Sequence, residues 1–114
     1  MSAKYLIFGA TGSIGSNLAN KLYDSKYNFH LVSRNKDELK SLSEKLKCTY
    51  TVANVLEDNF IKNVKSEISE VKGIAYCVGS IDLKPFKMVN EDDFQKCMKL
   101  NLYSAIEIIK AYQD

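Results

Sequence analysis

The sequence has 114 residues, 16 Lys+Arg against 14 Asp+Glu, a net charge of +2, and 46% hydrophobic and 26% charged residues. This length suits one domain, and the composition excludes disorder, collagen and low complexity as overall classes. The charge is too balanced to argue for nucleic acid, no apolar run approaches the ~20 residues of a membrane span, and residues 1–8 lack a signal-peptide pattern, so a cytoplasmic protein without nucleic acid or membrane partners is expected.

Tyr5-Leu6-Ile7-Phe8 is a short apolar run ending at Gly9, which fits a strand buried on both faces. Gly9 to Gly15 is a turn, and Ile14, Leu18 and Leu22 then recur at helical spacing. Phe29-His30-Leu31-Val32 predicts a second strand within Asn28–Ser33, its lone histidine a core or edge residue. Asn35 caps a helix with Asp37 and Glu38 in its first turn, Leu39, Leu42 and Leu46 on its inner stripe, and Lys45 and Lys47 at its end. Acids first and bases last suit the helix dipole.

Cys48 to Ala53 reads as a third strand and Glu57 to Val71 as a helix with Phe60, Val64, Ile68 and Val71 on one face. Ile74 to Val78 is a fourth apolar run, and Gly79 to Val89 a loop with the only proline, Pro85. Asn90 caps the last helix, with Glu91, Asp92 and Asp93 in its first turn. That helix carries Phe94, Met98, Leu102, Ala105, Ile106 and Ile109 and is apolar on most sides, so it is buried or meets a partner. Cys48, Cys77 and Cys97 form no CxxC pair and no cysteine–histidine cluster, so they are expected to be reduced and buried, with no metal site.

The order βαβαβαβα predicts an α/β fold: a doubly wound, Rossmann-like parallel sheet joined by right-handed crossovers. The whole chain, 1–114, reads as one unit with no linker or repeat.

Gly9-Ala10-Thr11-Gly12-Ser13-Ile14-Gly15 lies between the first strand and the first helix. Unpaired N–H groups at a helix N-terminus favour an anion, and glycines let a pyrophosphate approach the backbone. The alternative is a tight turn with no ligand. Dinucleotide folds place a ribose-recognition group about 20 residues beyond the glycines. Ser33 stands 18 positions after Gly15 and is followed by Arg34, the only arginine. An acid here would accept from ribose hydroxyls, whereas a guanidinium pairs a 2′-phosphate, so NADP is expected over NAD. The alternative is a surface base beside a helix cap.

These features together resemble the N-terminal half of a short-chain dehydrogenase/reductase. The glycine turn is similar to the family's Thr-Gly-x-x-x-Gly-x-Gly signature, with Gly9 and Gly15 as outer glycines, Phe8 replacing the threonine and Ser13 the middle glycine, beside Gly12. The resemblance implies cofactor contacts at Gly9, Thr11, Gly12, Ser13, Ile14, Gly15, Ser33 and Arg34. Asn54-Val55 resembles the family's Asp-Val pair beside adenine. Tyr76-Cys77-Val78-Gly79 occupies the place of Asn-Asn-Ala-Gly; only the glycine matches, and Cys77, Val78 and Gly79 would pass beside the cofactor. An ordinary strand end is the alternative. Asn101 matches the asparagine that kinks the family's fourth helix and holds a water of the proton relay, the alternative being a satisfied core amide.

The family interconverts carbonyls and alcohols with a nicotinamide cofactor, using a serine and a Tyr-x-x-x-Lys pair. None of the seven tyrosines here is followed four positions later by lysine. The expectation is therefore a partial domain, inactive alone, of an oxidoreductase acting on a small carbonyl or alcohol. Without a fifth strand the fourth would leave an apolar edge, so self-association is expected, and the apolar last helix resembles one that many members use to dimerise. An inactive NADP-binding or protein-interaction module is the competing reading. A response-regulator-like domain is disfavoured because the strand ends lack an acidic cluster.

Overall fold

The computed structural model describes residues 4–78, 86–88 and 90–113. Four strands, β1 (Lys4–Phe8), β2 (Phe29–Ser33), β3 (Thr49–Val52) and β4 (Val71–Tyr76), alternate with helices α1 (Ser13–Asp24), α2 (Lys36–Leu46) and α3 (Phe60–Glu67). A 3₁₀ turn at Phe86–Met88 precedes α4 (Glu91–Met98), a π-helical segment (Lys99–Tyr103) and α5 (Ser104–Tyr112). The strands form one parallel sheet in the order β3-β2-β1-β4, as the alternation predicts.

The alternating faces of β1 explain the two cores. Leu6 and Phe8 point to one side and pack with Val32, Val55, Phe60, Val64, Ile68 and Ile108, from β2, the segment after β3, α3 and its C-cap, and α5. Ile7 points to the other side, with Ala19, Leu31, Leu39 and Leu46 of β2, α1 and α2. Leu6, Ile7 and Phe8 are all fully buried, which is why β1 reads as a continuous apolar run and not an alternating one.

The predicted helix over 57–71 is shorter than expected. Ile68 leaves the helix with φ −138° and ψ 101°, its N–H closing the last turn on Val64, and Val71 begins β4. Gly73, expected as punctuation, therefore lies inside a strand, where a side chain would meet the Tyr5 ring at 3.0 Å. Tyr5 is itself edge-on to Tyr27, 5.5 Å between centroids.

The last helix also departs from expectation. Asn90 accepts from the Asp93 N–H at 2.8 Å and the Asp93 carboxylate accepts from the Asn90 N–H at 3.2 Å, a reciprocal cap that starts α4 as expected. From Lys99 the winding widens, and the Ser104 N–H reaches the Lys99 carbonyl in an i→i−5 bond. Ser104 and Ile108 are buried, whereas Phe94, Leu102, Tyr103, Ile106 and Ile109 are exposed. The apolar stripe thus faces outward and not into the core, which leaves a partner as the remaining expectation for it. The three cysteines are free but not buried as expected: Cys48 and Cys77 are half-buried and Cys97 is exposed. Burial pushes the Cys48 thiol up to about 11, against a smaller opposing pull from Lys4.

The remaining histidine is a satisfied core residue. His30 is buried, its Nε2 2.7 Å from Thr51 Oγ1 and its Nδ1 2.6 Å from Thr49 Oγ1. Thr51 donates its single hydroxyl proton to Glu67 at 2.5 Å, and so can only accept from the ring. The proton therefore sits on Nε2, and Nδ1 accepts from Thr49, which in turn accepts from the Lys4 ammonium at 3.1 Å. A single-direction chain runs from Lys4 to Glu67 through a neutral imidazole. Burial first, then the Lys4 charge, lowers the His30 pKa to about 4, against a smaller opposing effect of Glu67.

Candidate functional site

All four strands point their carboxyl ends at one cleft of about 970 Å³. Its walls include Phe8 and Gly9 after β1, Ser33 and Arg34 after β2, Ala53 and Asn54 after β3, and Cys77 and Val78 after β4. Open α/β sheets take ligands at this end, where neighbouring crossovers leave on opposite faces.

The turn between β1 and α1 is built by backbone bonds. The Gly9 and Ala10 N–H groups donate to the Val32 carbonyl at 2.9 and 3.2 Å, and the Gly12 N–H returns to the Gly9 carbonyl at 3.1 Å. Gly9 has φ +75°, and an added Cβ would lie 2.8 Å from the Cys77 carbonyl carbon and oxygen. A Cβ at Gly15 would lie 2.2 Å from the Gly9 carbonyl, so α1 approaches the turn only because no side chain intervenes. Gly12 differs. It lines the cleft, and an added Cβ would meet nothing closer than the Gly9 oxygen at 3.5 Å. It is the N-cap of α1, which has no side-chain cap. Two glycines thus serve the fold, while the third leaves an open approach to a helix N-terminus, the donor set a pyrophosphate fits.

Ser33 joins this turn to the next strand. Its hydroxyl lies 2.9 Å from that of Thr11 and takes a longer bond, 3.4 Å, from the Asn35 N–H. Asn35 caps α2 by accepting from the Glu38 N–H at 3.0 Å, as expected from its position. Between these anchored residues Arg34 is exposed, and among the described residues its guanidinium has no ion-pair partner. Among the described residues the cleft walls carry two bases, Arg34 and Lys96, and two acids, Glu38 and Asp93. Asn54 uses its side-chain oxygen inside its own loop, accepting from the Leu56 N–H at 2.9 Å.

The opposite wall comes from α4 and the π segment, through Asp93, Phe94, Lys96, Cys97, Leu100 and Asn101. Asn101 is exposed on the cleft and not a buried core amide. It donates to the Cys97 carbonyl at 3.0 Å, with the Cys97 sulfur at 3.4 Å. Behind it, Tyr76 donates its phenol to the Leu100 carbonyl, and Ser104 donates to the Val55 carbonyl at 2.8 Å. Burial pushes the Tyr76 phenol up, against a smaller opposing effect of the nearby Ser104 hydroxyl.

Of the sequence-predicted residues, Gly9, Thr11, Gly12, Ser33, Arg34, Asn54, Val55, Cys77, Val78 and Asn101 share this cleft. Ser13 and Ile14 stand exposed on the first turn of α1 outside its lining, and Gly15 is buried behind it. Gly79 lies outside the described residues. Sequence reasoning missed Phe94 and Cys97, which line the wall from α4. Their signal was there: Asn101, Cys97 and Asp93 are four apart and fall on one helical stripe. Glu38 was read only for its dipole partnership.

Among the described residues no group of three or more His, Cys, Asp or Glu is placed to hold a metal ion. Nor is any described helix long and apolar enough to cross a membrane.

No curated protein matches the chain. Solved structures do: a short-chain type dehydrogenase/reductase from Mycobacterium ulcerans superposes with TM-score 0.86 at 18% identity, over 97% of this chain and 45% of that one. Serine dehydrogenase from Escherichia coli gives TM-score 0.82 at 15% identity, over 94% and 53%. YwfH, an NADPH-dependent reductase involved in bacilysin biosynthesis, gives 0.81 at 18%, over 96% and 52%. The chain spans about half the length of these structures. The family model for short chain dehydrogenases matches residues 4–114. With the glycine turn, the parallel sheet and this match in agreement, the chain belongs to the short-chain dehydrogenase/reductase family.

Proposed function

We propose that this chain is the nucleotide-gripping portion of an NADP(H)-dependent oxidoreductase acting on a small carbonyl or alcohol. In this reading the first turn of α1, with Ser13 and Ile14, receives the pyrophosphate together with Thr11, approached across Gly12, while the Gly9, Ala10 and Gly12 N–H groups hold the shape of the turn. Gly15 lets the helix come close enough to do so. Ser33 and Arg34 receive the 2′-phosphate, Asn54 and Val55 flank the adenine, and Cys77, Val78 and Gly79 border the path toward the nicotinamide. Asn101 orders a water of the proton relay. When bound, the nicotinamide ring supplies or accepts the hydride. The serine and the tyrosine–lysine pair of the chemistry lie outside these 114 residues, and the chain is expected to be inactive by itself.

One observation carries the cofactor assignment: Arg34, without an ion-pair partner among the described residues, lines the same cleft as the open glycine, Gly12. A guanidinium so placed pairs a phosphate in fork geometry. Calorimetric titration with NADPH and NADH tests it. Tighter binding of NADPH supports the reading, equal affinities remove the role of Arg34, and no binding of either removes the cofactor reading.

An inactive NADP-binding or protein-interaction module is the second reading. It is favoured by the end of β4, where Tyr76-Cys77-Val78 replaces the family's usual residues and the Tyr76 phenol is committed to a helix carbonyl. Turnover of the full natural polypeptide on a panel of carbonyl compounds with NADPH separates the two. The expected oxidoreductase operates in the cytoplasm as a homo-oligomer.

A further inference from the structure

The helix that forms the outer wall of the cleft changes winding where it meets Asn101. In an α-helix the Ser104 N–H would donate to the Leu100 carbonyl, four residues back. Here it donates to Lys99 instead, so the carbonyl of Leu100 loses that donor. The phenol of Tyr76, from the last position of β4, donates to this same oxygen. Tyr76 is half-buried, with its ring 6.1 Å from that of Phe8, and it does not itself line the cleft. Ser104, fully buried, ties the other end of the widened turn to the Val55 carbonyl at 2.8 Å. Asn101 sits between these two anchors and opens onto the cleft. Single widened turns of this kind occur frequently at functional sites.

We infer that Tyr76 is a positioning residue: its hydrogen bond to Leu100 holds the π turn open and so fixes where Asn101 stands in the cleft. The inference rests on the reading of Asn101 proposed above. The physical argument is one of substitution. The widened turn leaves the carbonyl of half-buried Leu100 facing the sheet without its helical donor, an acceptor turned away from water without a partner is costly, and the phenol supplies the partner in the widened state. Removing the hydroxyl therefore favours the α-helical register, which rotates residues after Leu100 by roughly one position, about 100°, and turns Asn101 away from its present place.

The test is heteronuclear NMR of the protein with Tyr76→Phe, which keeps the ring and removes the donor. The Asn101 side-chain amide pair is identified by its loss in Asn101→Ala. The expected result is displacement of that pair and of the backbone amides of 99–104. Amide exchange over the same residues should accelerate about tenfold, as in a local opening, while the amides of β1, β2 and 9–12 stay in place. A lower melting temperature with the Asn101 pair unmoved would mean that Tyr76 only stabilises the fold, and overturns the inference. Should the variant not fold, the wild type decides: a through-hydrogen-bond coupling from the Tyr76 hydroxyl proton to the Leu100 carbonyl carbon supports the pin, and its absence overturns it. NADPH titration of the wild type runs alongside. If it shows no binding, the cofactor reading fails, while the resonances of Asn101 still decide the role of Tyr76.

Discussion

The hydroxyls of Thr11 and Ser33 lie 2.9 Å apart, joining the glycine turn to the end of the second strand. This one bond spans the two halves of the candidate nucleotide grip. It sets the anion-facing turn and the residue that follows Ser33 in a fixed relation, because Ser33 is buried and the turn is already tied to the Val32 carbonyl. Arg34 therefore leaves a rigid base, and only its own side chain needs ordering when a phosphate arrives.

Arg34→Ala is expected to weaken NADPH binding by about 1–3 kcal/mol, the range for charge-assisted hydrogen bonds, and to leave NADH nearly unchanged. Paired calorimetric titrations of wild type and variant check this. Equal losses for both cofactors would assign Arg34 to the fold.

The three glycines of the turn should separate by experiment. Gly9→Ala must hold φ +75° and meets the Cys77 backbone at 2.8 Å, so a loss of about 2–3 kcal/mol is expected. Gly15→Ala drives into the Gly9 carbonyl at 2.2 Å and should cost at least as much. Gly12→Ala has room in the protein and should change stability by less than about 1 kcal/mol, yet weaken NADPH binding. Urea unfolding and titration of the three variants distinguish these effects.

His30 makes stability pH-dependent. Its folded pKa is about 4, below the ordinary 6.5. Between these values the unfolded chain takes up a proton that the folded chain refuses, so stability falls as pH drops from 6.5 toward 4. The contribution reaches about 3 kcal/mol at the acid end. Denaturant melts across this range should show the slope, and His30→Asn should flatten it. An unchanged slope in the variant would shift the cause to the carboxylates.

The exposed stripe of Leu102, Ile106 and Ile109, together with Ile74 on the β4 edge, is expected to drive self-association of the chain. Sedimentation at rising concentration should show oligomers, and Ile109→Lys should shift them toward monomer. A clean wild-type monomer at high concentration would exclude this.

The parallel sheet and the residues at its strand ends were legible because parallel strands mark themselves locally. β1 is apolar at every position since it is covered on both faces, and the glycine turn follows it directly. Asn35 and Asn90 announced helix starts through the bonds their side chains make. The rest depended on tertiary choices. The stripe of Phe60, Val64, Ile68 and Val71 has helical period, yet Val71 pairs with Lys4 instead, because sheet pairing outweighs the local pattern. The widened turn at Lys99–Tyr103 left no trace in composition, since it depends on a phenol from another element. The balance of acids and bases in the cleft was equally hidden, as Glu38 and Asp93 come to it from two different helices.

The central place of β1 has a kinetic consequence. Its neighbours are β2, next in the chain, and β4, which follows two further helices. Phe8 pairs with Tyr76, so one flank of β1 must wait until β4 is made and threaded back. Long-range parallel pairing of this kind is slow, because loop closure precedes its reward. During synthesis Leu6, Ile7 and Phe8 stay half-covered for most of the chain's emergence, and this segment is where a chaperone would be expected to bind.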